Sequence, residues 1–152
     1  MKWTNEDLAT YIDAKEYVDT VILPMQSFQV TDEGTMEQDA FNREILSIYS
    51  SEIEKELSGR VMLTPTFYYL KSADMTAEIN RLEAWVKELQ EQPFTEIFIF
   101  TFDKALKKLE KELPCELIWF PGMKIGDVRS KEATQLIQNQ VEQISELIRA
   151  YW

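Results

Sequence analysis

Apolar residues recur at helical spacing among polar ones along most of this chain, and one stretch that runs apolar without a break organises the rest. From Ile97 to Phe100, within Phe94–Asp103, the residues are β-branched or aromatic without a break. This pattern suits a strand covered on both faces. Such a strand needs helices above and below it, and the flanking sequence predicts them.

Thr4 with Asp7 reads as a capping box, and Leu8, Tyr11 and Ile12 form a short stripe, predicting a helix from Asn5 to Glu16. Val18–Leu23 is the first predicted strand, stopped by Pro24, which has no N–H for a ladder. A polar loop, Met25–Gly34, then leads to a second capping box at Thr35 and Gln38. Phe41, Ile45, Ile48, Tyr49, Ile53 and Leu57 recur at helical spacing, and Gly59 stands where a left-handed terminating residue belongs.

Arg60–Thr64 is a short second strand ended by Pro65; Phe67-Tyr68-Tyr69-Leu70 reads either as its extension or as an aromatic loop. Met75, Ile79, Leu82, Val86 and Leu89, widened by Trp85, predict a helix over Asp74–Glu91, closed by Pro93. After the central strand, Asp103 caps a helix carrying Leu106, Leu109 and Leu113 and ending at Pro114. Cys115–Phe120 is a fourth strand, Pro121–Gly126 a loop, and Ser130–Ala150 a last helix with Ala133, Ile137, Val141, Ile144, Ile148 and Tyr151 facing inward.

Strands separated by helices pair in parallel through right-handed crossovers. The expected fold is therefore an α/β, three-layer α/β/α sandwich in a single domain over residues 1–152. Its four-stranded, mostly parallel sheet has the order 2-1-3-4, similar to half of a flavodoxin-like core. In that order the helices leaving strands one and three depart on opposite faces, and their carboxyl ends open a crevice. Gln26, Ser27, Thr101 and Asp103 are the residues this topology brings to the crevice as ligand-binding candidates. The plainer reading makes Asp103 a helix cap and Gln26 and Ser27 ordinary loop residues.

Composition narrows the chemistry. The chain has 152 residues, no histidine and one cysteine. The Ser-His-Asp and Cys-His constellations and the commonest zinc ligand are thus excluded, and no catalytic residue is assigned. Four glycines, Gly34, Gly59, Gly122 and Gly126, cannot write a phosphate loop or a dinucleotide fingerprint, so no cofactor is expected. Gly122 and Gly126 flank Lys124 before the last helix, a weak anion signal that a flexible connection explains equally well. Cys115 reads as a buried core thiol unless it is exposed, in which case it is a redox candidate.

The formal charge of −11 opposes binding to nucleic acid or to an anionic membrane surface. Between Thr31 and Glu56 eight carboxylates face two basic residues, whereas Lys104, Lys107, Lys108 and Lys111 make a basic patch. Glu52 and Glu56 share a helical face, which reads as a solvated surface and not as a metal site. No apolar run is long enough to span a bilayer, and no leader pattern opens the chain, so a cytoplasmic protein is expected. The aromatic pair Tyr151-Trp152 must pack back, stack on another subunit or stay exposed.

Lys2-Trp3-Thr4 with Asp7, the run Lys15-Glu16-Tyr17-Val18-Asp19-Thr20 leading into Val21-Ile22-Leu23-Pro24, and Pro65 before Tyr68-Tyr69 resemble the YpiF-type family of small proteins from Bacillus-like Firmicutes. The resemblance implies an accessory role, through genes that neighbour those of the menaquinol-cytochrome c reductase in some genomes, and supplies no catalytic residue. A first strand ending Leu-Pro-x-x-Ser is also faintly similar to creatininase-type amidohydrolases, but those hold metals with histidine, which is absent here. The expected function is a non-catalytic one exercised through a protein partner or a homodimer. The alternative is a small-ligand binder or enzyme using the crevice at the ends of strands one and three.

Overall fold

The computed structural model describes residues 1–152 as a parallel sheet with helices on both faces. The strands are β1 (Thr20–Phe28), β2 (Val61–Leu63), β3 (Phe67–Leu70), β4 (Glu96–Thr101) and β5 (Glu116–Trp119). The longer helices are α1 (Asn5–Ala14), α2 (Glu33–Glu56), α3 (Met75–Gln90), α4 (Lys104–Lys108) and α5 (Lys131–Arg149). All strand pairs are parallel, in the order β2-β1-β4-β5, with β3 also beside β1. The count is five and not four because the second strand is broken in two around Pro65.

The central strand behaves as its residues require. Phe98 and Phe100 pack with Ile22, Ile118 and the inner sides of α2 and α5. Ile97 and Ile99 point the other way, into clusters supplied by Tyr11 of α1, Leu82 and Val86 of α3 and Leu106 of α4. Around Phe120 the packing is aromatic: Tyr49 stacks on it at 5.0 Å and Phe100 meets it edge-on at 5.3 Å.

The first strand runs further than expected. It does not stop at Pro24 but continues to Phe28, so Met25–Phe28 are strand and not loop. Thr64 N–H donates to the Ile22 carbonyl at 3.1 Å. Residues two apart point the same way, so the missing N–H of Pro24 faces the break between β2 and β3, where no ladder bond is lost. Across that break the register shifts by one residue, from Ile22↔Leu63 to Met25↔Phe67.

Helix ends differ in detail. Thr4 caps α1 by accepting from Asp7 N–H, but the regular helix stops at Ala14 and a single 3₁₀ turn, Lys15–Tyr17, follows. The cap of α2 is Asp32 and not Thr35: its carboxylate accepts from Gly34 N–H at 3.0 Å and also from the Thr35 hydroxyl. Gly59, with φ of 90°, ends that segment in the conformation that side chains disfavour. The helix after β4 is short, because a 3₁₀ turn at Glu110–Glu112 replaces its second half.

At the amino ends of the strands, the Tyr151-Trp152 pair packs back on its own sheet. The Tyr151 ring meets Phe98 edge-on at 5.0 Å, and Trp152 Nε1–H donates to Thr20 Oγ1 at 2.8 Å. The Arg60 guanidinium lies over the Trp152 ring at 4.0 Å and grips both oxygens of Asp19, at 3.0 and 2.9 Å.

Two outcomes follow from this packing. Phe100→Ala should lower unfolding free energy by about 3–5 kcal/mol, read as a shift in urea midpoint with little change in slope. Burial pushes the Asp19 carboxyl up, but hydrogen bonds from Arg60 and Thr20 and the Arg60 charge outweigh it, so its pKa lies below the ordinary value. A depressed folded pKa contributes stability above the unfolded value, about 3.9, that is lost as pH falls through the folded one. The deficit in thermal midpoint caused by Asp19→Asn should therefore be constant from pH 8 to pH 5 and shrink below about pH 4.

Candidate functional site

At the carboxyl end of the sheet β1 outruns β4. Its pairing with β4 ends at Pro24↔Phe100, whereas its pairing with β3 continues to Phe28↔Leu70. The cleft therefore does not sit between β1 and β4, and no residue of β4 lines it. It opens toward β3 and the first turns of α2 as a cleft of about 840 Å³.

Alternation along β3 explains why this side is open. Phe67 and Tyr69 turn into the core with Leu82 and Leu106, while Tyr68 and Leu70 turn outward. Together with Phe28 and Val30, those two are 44% to 64% exposed. Met36 and Ala40 of α2 form the facing wall, so the lining is mostly apolar.

Three charged groupings border it. Lys71 pairs with Asp39 at 2.8 Å, and Arg81 pairs with Glu78 at 2.7 Å. Arg81 also donates to the Tyr68 carbonyl at 2.6 Å and lies over the Phe67 ring. Arg43 differs: its Nε–H donates to the Tyr68 hydroxyl at 2.9 Å, and no carboxylate lies within ion-pair distance of it.

The four residues expected from topology fall into two groups. Ser27 lines the cleft. Gln26 is buried in β1, and its side-chain amide donates to the Ser27 carbonyl at 3.0 Å. Thr101 is buried at the end of β4, where its hydroxyl accepts from Asp103 N–H at 3.0 Å. Asp103 caps α4 by accepting from Ala105 N–H at 2.9 Å, and it also accepts from the Tyr69 hydroxyl. Tyr69 lines the cleft, so it joins the two groups across the end of β1. Burial pushes its hydroxyl pKa up, and the adjacent Asp103 charge pushes it further, so the phenol keeps its proton.

Arg43, Tyr68, Tyr69, Leu70 and Phe28 were not among the expected site residues. A usable signal was present for three of them. Phe28 with Val30, and Tyr68 with Leu70, are large apolar residues at period two, beyond the part of the sheet the helices can roof. Arg43 carries no such signal, since it stands among polar positions of a helix.

The fold thus defines an open, all-parallel α/β protein with an apolar cleft beside its edge strand. Residues 9–152 match a protein family described as "Protein of unknown function (DUF2487)", and the chain belongs to that family. It is similar to the "Uncharacterized protein YpiF" of Bacillus subtilis (strain 168), at 30% identity over 108 residues, covering 69% of this chain and 68% of that protein. No solved structure matches the chain. No helix is long and apolar enough to cross a membrane.

Cys115 lies away from the cleft, against the clusters beneath α1 and α3. Burial, with the neighbouring Glu116 charge adding to it, pushes its thiol up to about 12. Only the thiolate attacks a disulfide reagent. Native protein at pH 8 should therefore react with an aromatic disulfide reagent far more slowly than protein unfolded in guanidinium, and equal rates would restore Cys115 as a redox candidate.

Proposed function

We propose that this protein works by binding, without making or breaking bonds itself, and that the cleft between α2 and β3 is the surface it binds through. The makeup of the cleft carries this reading: about 840 Å³ with a largely apolar wall and four exposed large apolar side chains. Pockets that hold small molecules span roughly 300–1,000 Å³. Contiguous exposed apolar groups mark recognition surfaces.

The carboxylates nearby are committed to other partners. Lys71 and Asp39, and Arg81 and Glu78, neutralise one another, and Asp103 is held by Tyr69 and by its helix. A general acid or base must exchange its proton near neutral pH. Tyr69, with its raised pKa, is poorly suited to that.

On this reading the occupant is a small molecule met in the cytoplasm, and the formal charge of −11 supports a site that turns nucleic acid away. Association with a protein partner or a second copy is the other reading, favoured by the exposure of Phe28, Val30, Tyr68 and Leu70.

Titration with the neutral dye Nile red tests the proposal, with light scattering on the same samples. A monomer that binds one dye with a blue-shifted emission, lost in Leu70→Asp at unchanged thermal midpoint, is the expected result. A dimer that binds no dye, and that Leu70→Asp separates into monomers, would favour the second reading. A monomer that binds no dye would sink the use of the cleft.

A further inference from the structure

Resting on the cleft reading above, we infer that the occupant is an elongated apolar molecule ending in a single carboxylate, with Arg43 receiving the carboxylate. The inference starts from how the charged groups in and beside the cleft are paired. Lys71–Asp39 and Arg81–Glu78 are each internally neutral, at 2.8 and 2.7 Å. The unpaired charge is the guanidinium of Arg43, which has no protein carboxylate within ion-pair distance. An occupant that supplies the missing partner of Arg43 carries a negative charge at that end.

Geometry selects the head group further. The Tyr68 hydroxyl holds Arg43 Nε at 2.9 Å and so fixes one edge of the planar guanidinium at the cleft. Neither Nη atom has a protein acceptor, leaving two parallel donors of the kind that engage a carboxylate side by side. A doubly charged phosphate would bring a second negative charge close to Asp39 and Glu78, which also line the cleft. The carboxylate monoanion avoids that repulsion.

The wall selects the rest of the molecule. Phe28, Val30, Met36, Leu70 and the Tyr68 ring present carbon with few hydrogen-bonding groups. Burying a polar body there would leave its donors and acceptors unpaired, whereas methylenes are favoured. A chain of methylenes with one acidic end satisfies wall and guanidinium together.

The test displaces Nile red with decanoate, decanol, decyl phosphate and dodecanoate, using the full chain and the exposed-site variants Arg43→Gln and Arg43→Lys. Decanoate should displace dye at roughly tenfold lower concentration than decanol, the value of a charge-assisted pair. Dodecanoate should improve on decanoate by roughly tenfold for its two added methylenes. Arg43→Gln should bring decanoate to the level of decanol measured on the same variant, with Arg43→Lys between. Decyl phosphate binding more tightly than decanoate would overturn the monoanion assignment. Equal displacement by acid and alcohol, or indifference to Arg43→Gln, would overturn the role of Arg43 while dye binding keeps the cleft. Loss of dye binding itself in the parent chain would remove the cleft reading and this inference together.

Discussion

Everything in this structure depends on β4 being shielded from water on both sides. Phe98 and Phe100 project from one face and Ile97 and Ile99 from the other, and none of the four is appreciably exposed. Their burial requires helices in two layers, which is why α2 and α5 gather on one face and α1, α3 and α4 on the other. Parallel strands joined by helices must cross over with one hand. Dividing the helices between faces then forces the connections from β1 and β4 to diverge.

The two ends of the sheet have different characters because the strands are staggered. At the amino end, Asp19, Arg60, Thr20 and Trp152 form one bonded cluster that fixes β1, the start of β2 and the residues after α5 together. At the carboxyl end, β1 and β3 project past β4, and the outward side chains of β3 stay exposed in the cleft beside α2. Polar groups are closed on one another where the chain is tied down, and apolar groups are left facing water where it is not.

Much of the fold was legible in the residues. The unbroken run Ile97–Phe100 identifies a doubly covered strand, and the helical series through Phe41 to Leu57 and Met75 to Leu89 predicts α2 and α3 closely. Pro24 misled because a proline interrupts a ladder only where its missing N–H faces a partner, and the break opposite it lies at Pro65, far along the chain. The site was legible only in part. Topology brings Ser27 to the cleft, but Thr101 and Asp103 reach it only through Tyr69, a contact across three strands that no local pattern encodes.

The broken edge formed by β2 and β3 has one more consequence. A long, flat edge strand is a template on which another chain can extend the sheet and start a fibre. Here the Leu63 N–H is already taken by the Met1 carbonyl, Pro65 and the register shift interrupt the row, and the Arg81 guanidinium occupies the Tyr68 carbonyl. The discontinuity that opens the apolar cleft therefore also guards the sheet against growing sideways into an aggregate.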